Sequence, residues 1–151
     1  MAGLCYDAQV VLYNATGGTI GNPKILYGTL LPVCRVDLTQ GANIASTGLE
    51  NANACTLRVY DADLPAPYAP PAIWYELDEK TECITFDAAS FFIVTSKADI
   101  GADADVPLGA VEDSSYDGGL MAYLRQTYGH VYRVMQADHY SLIPHWEVGA
   151  S

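Results

Sequence analysis

Hydrophobic positions come in short runs, and most of the runs alternate with polar ones. "DAQVVLY" (7–13) is β-branched and alternating, so it predicts a first strand. "NATGGTIGNP" (14–23) is dense in turn formers and predicts a loop or hairpin tip. "KILYGTLLPVCRVDLTQ" (24–40) predicts one long strand or two joined ones, with Gly28 and Pro32 marking a bend or bulge. In "ACTLRVYDA" (54–62), Cys55, Leu57 and Val59 fall on one face and Thr56, Arg58 and Tyr60 on the other. "ECITF" (82–86) and "SFFIVTS" (90–96) read as two strands around a tight "DAA" turn. "HVYRVMQADHY" (130–140) reads as a strand with Val131, Arg133 and Met135 on one face and Tyr132 and Val134 on the other. "SLIPHWEV" (141–148) is the last strand, with Trp146, Val148 and Leu142 facing inward.

Helical spacing is rarer. Pro70-Pro71 can open a short helix over "AIWYELDEK". In "GLMAYLRQTYG" (119–129), Leu120, Tyr123 and Leu124 share a face and Gly129 closes the helix. Two stretches have no period and read as long loops: the small, polar 41–53 and the small, acidic 97–119. The expected fold is mainly β. It is a small β-barrel or sandwich of about six or seven strands, with one or two short helices and long loops, in a single domain over 1–151.

Composition narrows the function classes. The 151 residues are half apolar, enough to bury a core. No apolar run approaches the ~20 residues of a membrane helix, so no membrane partner is expected. "MAGLCYDAQVVLY" carries no basic n-region followed by an apolar stretch, so no signal peptide is expected. Acidic residues number 18 against 7 Lys and Arg, giving a formal charge of −11. Tight duplex binding draws on Lys and Arg at phosphates, and this chain lacks them in quantity. Its acidity suits a wall past which DNA slides without sticking. Cys5, Cys34, Cys55 and Cys83 form no C-x-x-C pair, and Cys34 and Cys55 lie in apolar strands, so they read as reduced, buried side chains.

Candidate chemistry is sparse. On the last strand His145 and Glu147 share a face, roughly 7 Å apart by strand geometry. Such a pair can begin a metal site but needs further ligands, and His130 and His139 have no helpful spacing. The blander reading is a Trp146 core anchor beside a His145–Glu147 hydrogen-bonded pair at a rim or subunit contact. In the acidic run Asp99, Asp103, Asp105, Glu112, Asp113 and Asp117 do not reproduce a calcium loop. That leaves a solvated loop, a channel lining or a clasp for a neighbour. No Gly-x-Ser-x-Gly, phosphate loop or dinucleotide motif occurs, so no catalytic residue and no cofactor is expected. Eleven Tyr residues and the "PYAPPAIWYEL" corner, with Tyr68 and Trp74, suit core packing and protein interfaces equally.

The order of short motifs resembles a family of small tailed-phage neck proteins. The matching stretches are Val11–Asn14 ("VLYN"), Tyr68–Trp74 ("YAPPAIW"), Thr85–Ser90 ("TFDAAS") and His145–Gly149 ("HWEVG"). At the third, Ala88, Ala89 and Ser90 stand where the family carries Gly-Asp, which puts that turn's geometry in question. The resemblance implies a non-enzymatic virion protein of the head-completion (stopper) type, assembled in the host bacterial cytoplasm. Such a protein forms a ring, six- or twelve-fold, between portal and adaptor proteins and the tail tube, and retains packaged DNA without reading its sequence. A tail terminator is the alternative within the virion. A small metal- or ligand-binding β-barrel is the alternative of another class.

Overall fold

A computed structural model describes residues 5–40 and 53–151. The loop expected at 41–53 lies outside these residues, apart from residue 53. The described residues form eight strands: β1 (Ala8–Thr16), β2 (Ile25–Gln40), β3 (Asn53–Tyr60), β4 (Phe91–Lys97), β5 (Ala102–Asp103), β6 (Gly109–Glu112), β7 (Val131–Tyr140) and β8 (His145–Ala150). Two helices accompany them, α1 (Pro71–Glu76) and α2 (Leu120–Thr127). Six strands close a barrel in the order β1-β2-β3-β8-β7-β4, with β4 returning to β1, and every pairing is antiparallel. Of the two expected architectures, the barrel is the one formed. β5 adds to β4 and β6 to β2, outside the closed ring.

Alternation along the strands builds two cores. Val10, Leu12, Cys34, Val36, Cys55, Leu57, Val59, Phe92, Val94, Tyr132, Val134 and Val148 fill the barrel interior. Val11, Tyr13, Ala15, Leu26, Phe91, Ile93 and Val131 point outward, where Leu120 and Leu124 of α2 cover them. β1 and β4 are therefore buried on both faces, which is why "VVLY" and "FFIV" read as continuous apolar runs. β2 changes phase once. Ala8 pairs with Cys34 but Val10 with Leu31, so an extra residue bulges at the exposed Pro32. The bulge puts Leu31 and Cys34 both inside, and Pro32 sits where no ladder donor is needed. Gly28 does not bend the strand. A Cβ there would lie 2.8 Å from the Tyr13 ring and 3.0 Å from the Pro107 carbonyl, so the glycine makes room for a close approach.

Several expected elements are corrected. Residues 82–86 form no regular strand: a single parallel bridge joins Ile84 to Tyr68, and Ile84 and Phe86 fill the barrel interior. The first strand runs on through Asn14 to Thr16, shortening the predicted tip. The last strand begins only at His145, and Leu142, expected inside, is 96% exposed in the preceding turn. A Pro at 144 and a four-residue turn leave it no partner strand. The helix after Pro70 is one turn shorter than the pattern suggested. On α2, Leu120 and Leu124 are buried, whereas Tyr123 is 40% exposed and packs on Tyr116 instead, ring centroids 4.8 Å apart.

The acidic run 97–119 is no free loop. It is a strap hydrogen-bonded at both ends through β5 and β6, and Ala104, Val106, Val111 and Tyr116 pack beneath it on the outer core. Tyr13 donates its hydroxyl to the Pro107 carbonyl at 2.7 Å and pins the middle. The strap's periodicity was invisible because its strands span only two and four residues.

Candidate functional site

Strand direction places the candidate site. β1, β3 and β7 run one way and β2, β4 and β8 the other, so the β1–β2 tip, the β7–β8 tip and the crossover after β3 share one end of the barrel. The crossover, residues 61–70, opens with a single 3-10 turn at Asp61–Asp63; beyond it Pro65, Pro67 and Pro70 exclude an α-helix, and the chain runs across the barrel mouth. Between it and the ends of β7 and β8 is a cleft of about 500 Å³, lined by Asp61, Leu64, Pro67, Tyr68, His139 and Trp146.

Aromatic rings form its floor. Trp146 pairs in register with Val59 and with His139, and its indole points toward the mouth. Its ring centroid lies 4.2 Å from Tyr68, 5.3 Å from Phe86 and 4.9 Å from His139. Asp61 and His139 form the polar wall, 2.8 Å apart from Oδ2 to Nε2. Asp61 Oδ1 and Asp63 Oδ2 are buried without a hydrogen-bond partner. Of these two residues only Asp61 lines the cleft, so the site is an aromatic floor beside one carboxylate, a combination that suits a flat or prolyl group with a donor.

The other face of β8 carries the His145–Glu147 pair. His145 Nε2 is 3.0 Å from Glu147 Oε2, and its Nδ1 is 2.6 Å from the Ile143 carbonyl oxygen. Both ring nitrogens face acceptors, so the charged imidazolium is favoured. Glu147 first, then the Ile143 carbonyl, raise the His145 pKa, and the His145 hydrogen bond lowers that of Glu147. The ring stacks on Tyr140 with centroids 5.0 Å apart. The pair continues sideways: Arg58 approaches Glu147 at 3.7 Å and pairs with Asp37, which Arg35 meets at 3.0 Å. Among the described residues no group of three His, Cys, Asp or Glu side chains is placed to hold a metal ion.

The structure thus joins Tyr68 with Trp146 on one side of the barrel wall and His145 with Glu147 on the other, and it places the remaining expected residues elsewhere. Trp74 is 1% exposed, and its indole N–H faces the carbonyls of Lys80 and Cys83 at 3.1 and 3.3 Å, closing the α1 turn. Asp99 is paired with Lys97, while Asp103, Asp105 and Glu112 are exposed on the outer side of the strap. Asp113 is a helix cap: its Oδ1 accepts from the Leu120 N–H at 2.8 Å. Cys34 and Cys55 are buried and unpaired, and burial pushes both thiols up to about 12.

Sequence reading missed a further pair of motifs that meet. Asn14, 1% exposed, donates to the Thr85 carbonyl at 2.6 Å and to Ser90 Oγ at 3.0 Å, and accepts from the Thr85 N–H at 3.3 Å. The "VLYN" and "TFDAAS" stretches are one buried polar node. The turn itself is held by Asp87 Oδ1, which accepts from Ala89 N–H at 2.8 Å, so the departure to Ala-Ala-Ser still closes a tight turn. A polar residue in an otherwise apolar strand was the available signal.

No helix among the described residues is long and apolar enough to cross a membrane. No curated protein and no solved structure matches the chain. One family model does, over residues 5–151, and the chain accordingly belongs to that family, a family of unknown function (DUF6751).

Proposed function

We propose that this protein is a non-enzymatic component of the tailed-phage virion neck. In this reading it is a head-completion or stopper-type connector, working as a ring between portal and adaptor proteins and the tail. The observation that carries the reading is the distribution of exposed apolar side chains. Ile20 is 104%, Leu142 96% and Ile143 62% exposed, and all three sit on hairpin tips at one end of the barrel. A chain of charge −11 that leaves large apolar residues on its outermost turns presents them to a partner. A closed barrel supports this use, because it carries two projecting hairpins on a rigid body.

The test is co-assembly with the portal, adaptor and tail-tube proteins of a phage that encodes the chain, read by light scattering and negative-stain microscopy. Wild-type protein is expected to join the complex. The Leu142→Ser/Ile143→Ser variant is expected to fold and fail to join. A protein that stays monomeric beside every one of those partners overturns the reading. The Trp146 cleft favours a second reading, a ligand-binding barrel. Saturable quenching of Trp146 fluorescence by a small aromatic or prolyl compound, lost in Tyr68→Ala, would support that alternative.

A further inference from the structure

The chain's cations are unevenly employed. Arg35, Arg58 and Lys97 are ion-paired with carboxylates. Lys80 donates to the Tyr75 and Leu77 carbonyls and lies over the Trp74 ring. The remaining three, Lys24, Arg125 and Arg133, form no salt bridge among the described residues, and all three line one cleft of about 540 Å³ between α2 and the barrel. They come from three separate places: the residue before β2, the last turn of α2 and the third residue of β7. Phe91 and Met121 give the same cleft an apolar side, and its one carboxylate, Asp113, is engaged by the Leu120 N–H, so the lining carries a net positive charge. Three unpaired cations converging beside apolar surface, on a molecule of charge −11, match an extended acidic segment carrying an apolar side chain.

The strap offers that segment. Asp103 and Asp105 are exposed and form no salt bridge among the described residues, and Leu108 beyond them is 55% exposed. Their backbone is held extended by the β4–β5 pairing, by the Ala104 N–H on the Thr95 carbonyl and by the Tyr128 hydroxyl on the Asp105 carbonyl. Little ordering is lost when such a segment docks. Copies of so acidic a chain repel one another unless a basic surface meets an acidic one. We propose that the Lys24–Arg125–Arg133 cleft receives the Asp103–Leu108 strap of a second copy, head to tail, as the contact that propagates a ring. This rests on the ring reading above, and it assigns the acidic run to clasping a neighbour rather than lining a channel.

Two arms test it. In the first, a labelled peptide of residues 101–109 is titrated into the full chain at low ionic strength. Binding is expected, weakened by salt and reduced at least about tenfold in Arg125→Glu/Arg133→Glu. No binding to the wild-type chain, or binding that survives the reversal, overturns the inference. If the double reversal does not fold by circular dichroism, Arg125→Gln/Arg133→Gln takes its place. In the second arm, self-association is measured by sedimentation for the wild type, for each reversal, and for Arg125→Glu/Arg133→Glu mixed with Asp103→Lys/Asp105→Lys. Loss in each alone and recovery in the mixture support the contact. Rings that form equally well in Arg125→Glu/Arg133→Glu overturn the contact and leave the ring reading standing. Peptide binding without oligomers under any condition supports the cleft and overturns the ring reading.

Discussion

Asn14→Ala removes a side chain whose hydrogen bonds join β1 to the 83–90 segment inside the protein. Asn14, Thr85 and Ser90 are each no more than 1% exposed. The amide serves both main-chain groups of Thr85 and the Ser90 hydroxyl. Truncation leaves the Thr85 N–H and C=O buried and without this partner. Each such group costs about 1–3 kcal/mol, so the variant is expected to lose about 2–5 kcal/mol. Against a typical stability of about 5–15 kcal/mol that is a large fraction. The assay is urea unfolding followed by tyrosine and tryptophan fluorescence, with calorimetry alongside. The midpoint falls while the m-value stays constant, because the same surface is exposed on unfolding. The melting temperature drops by about 5–15 °C for a chain of this size. A loss below about 1 kcal/mol refutes the reasoning, since it would mean that the node is not holding the 83–90 segment in place.

Four further outcomes rest on the same structure. Thr85 Oγ1 is buried without a partner, so Thr85→Val, in the same node, is expected to raise stability by about 1 kcal/mol in the same urea assay; a loss above about 1 kcal/mol would show that the hydroxyl is bonded in solution. Gly28→Ala drives a Cβ against the Tyr13 ring and the strap carbonyl and is expected to cost about 1–3 kcal/mol by calorimetry. Gly149→Ala meets nothing closer than 3.9 Å and is expected to be neutral or to stabilise by up to about 1 kcal/mol, and the reverse order of the two glycines sinks the packing argument. The His145 imidazole, followed by NMR titration, is expected to titrate above 6.5 in the folded protein and to fall back toward 6.5 in Glu147→Gln. Its stabilisation is fully present below 6.5 and fades as pH rises through the raised value. That of Glu147 is present above 4.5 and fades as pH falls through its lowered one. A folded-state midpoint at or below 6.5 contradicts the pair.

The strands with one wet face were readable as such. Cys55, Leu57 and Val59 alternate with Thr56, Arg58 and Tyr60, and the structure keeps that phase. Strands wet on neither face were recognisable as strands, but the second layer over them was not. Phe91 and Ile93 look no different in sequence from Phe92 and Val94, yet they serve a separate core under α2. The strap escaped because two- and four-residue strands are too short to show a period. The site was half legible. Alternation marks Trp146 as an inward residue and the proline corner marks Tyr68 as a core or interface aromatic, but their contact joins positions far apart in the chain. Asn14 escaped for the same reason, its partner lying 71 residues away. Leu142 went the other way: alternation assigned it to the interior, and the turn that ends β7 put it in solvent.

β8 occupies the gap between β3 and β7, and that has a consequence for how the chain reaches its native state. Until β8 is in place, both neighbouring strands present bare edges, and the β3–β8 seam joins regions distant in sequence. Local hairpins such as β1–β2 form early, while closing the ring waits on the slowest loop closure. During synthesis the nascent chain therefore holds an open, adhesive sheet until His145–Ala150 leaves the ribosome. The "HWEVG" stretch is then a latch on folding: its arrival closes an open five-stranded sheet, whose bare edges are the kind that template aggregation, into a ring with no free strand at that seam.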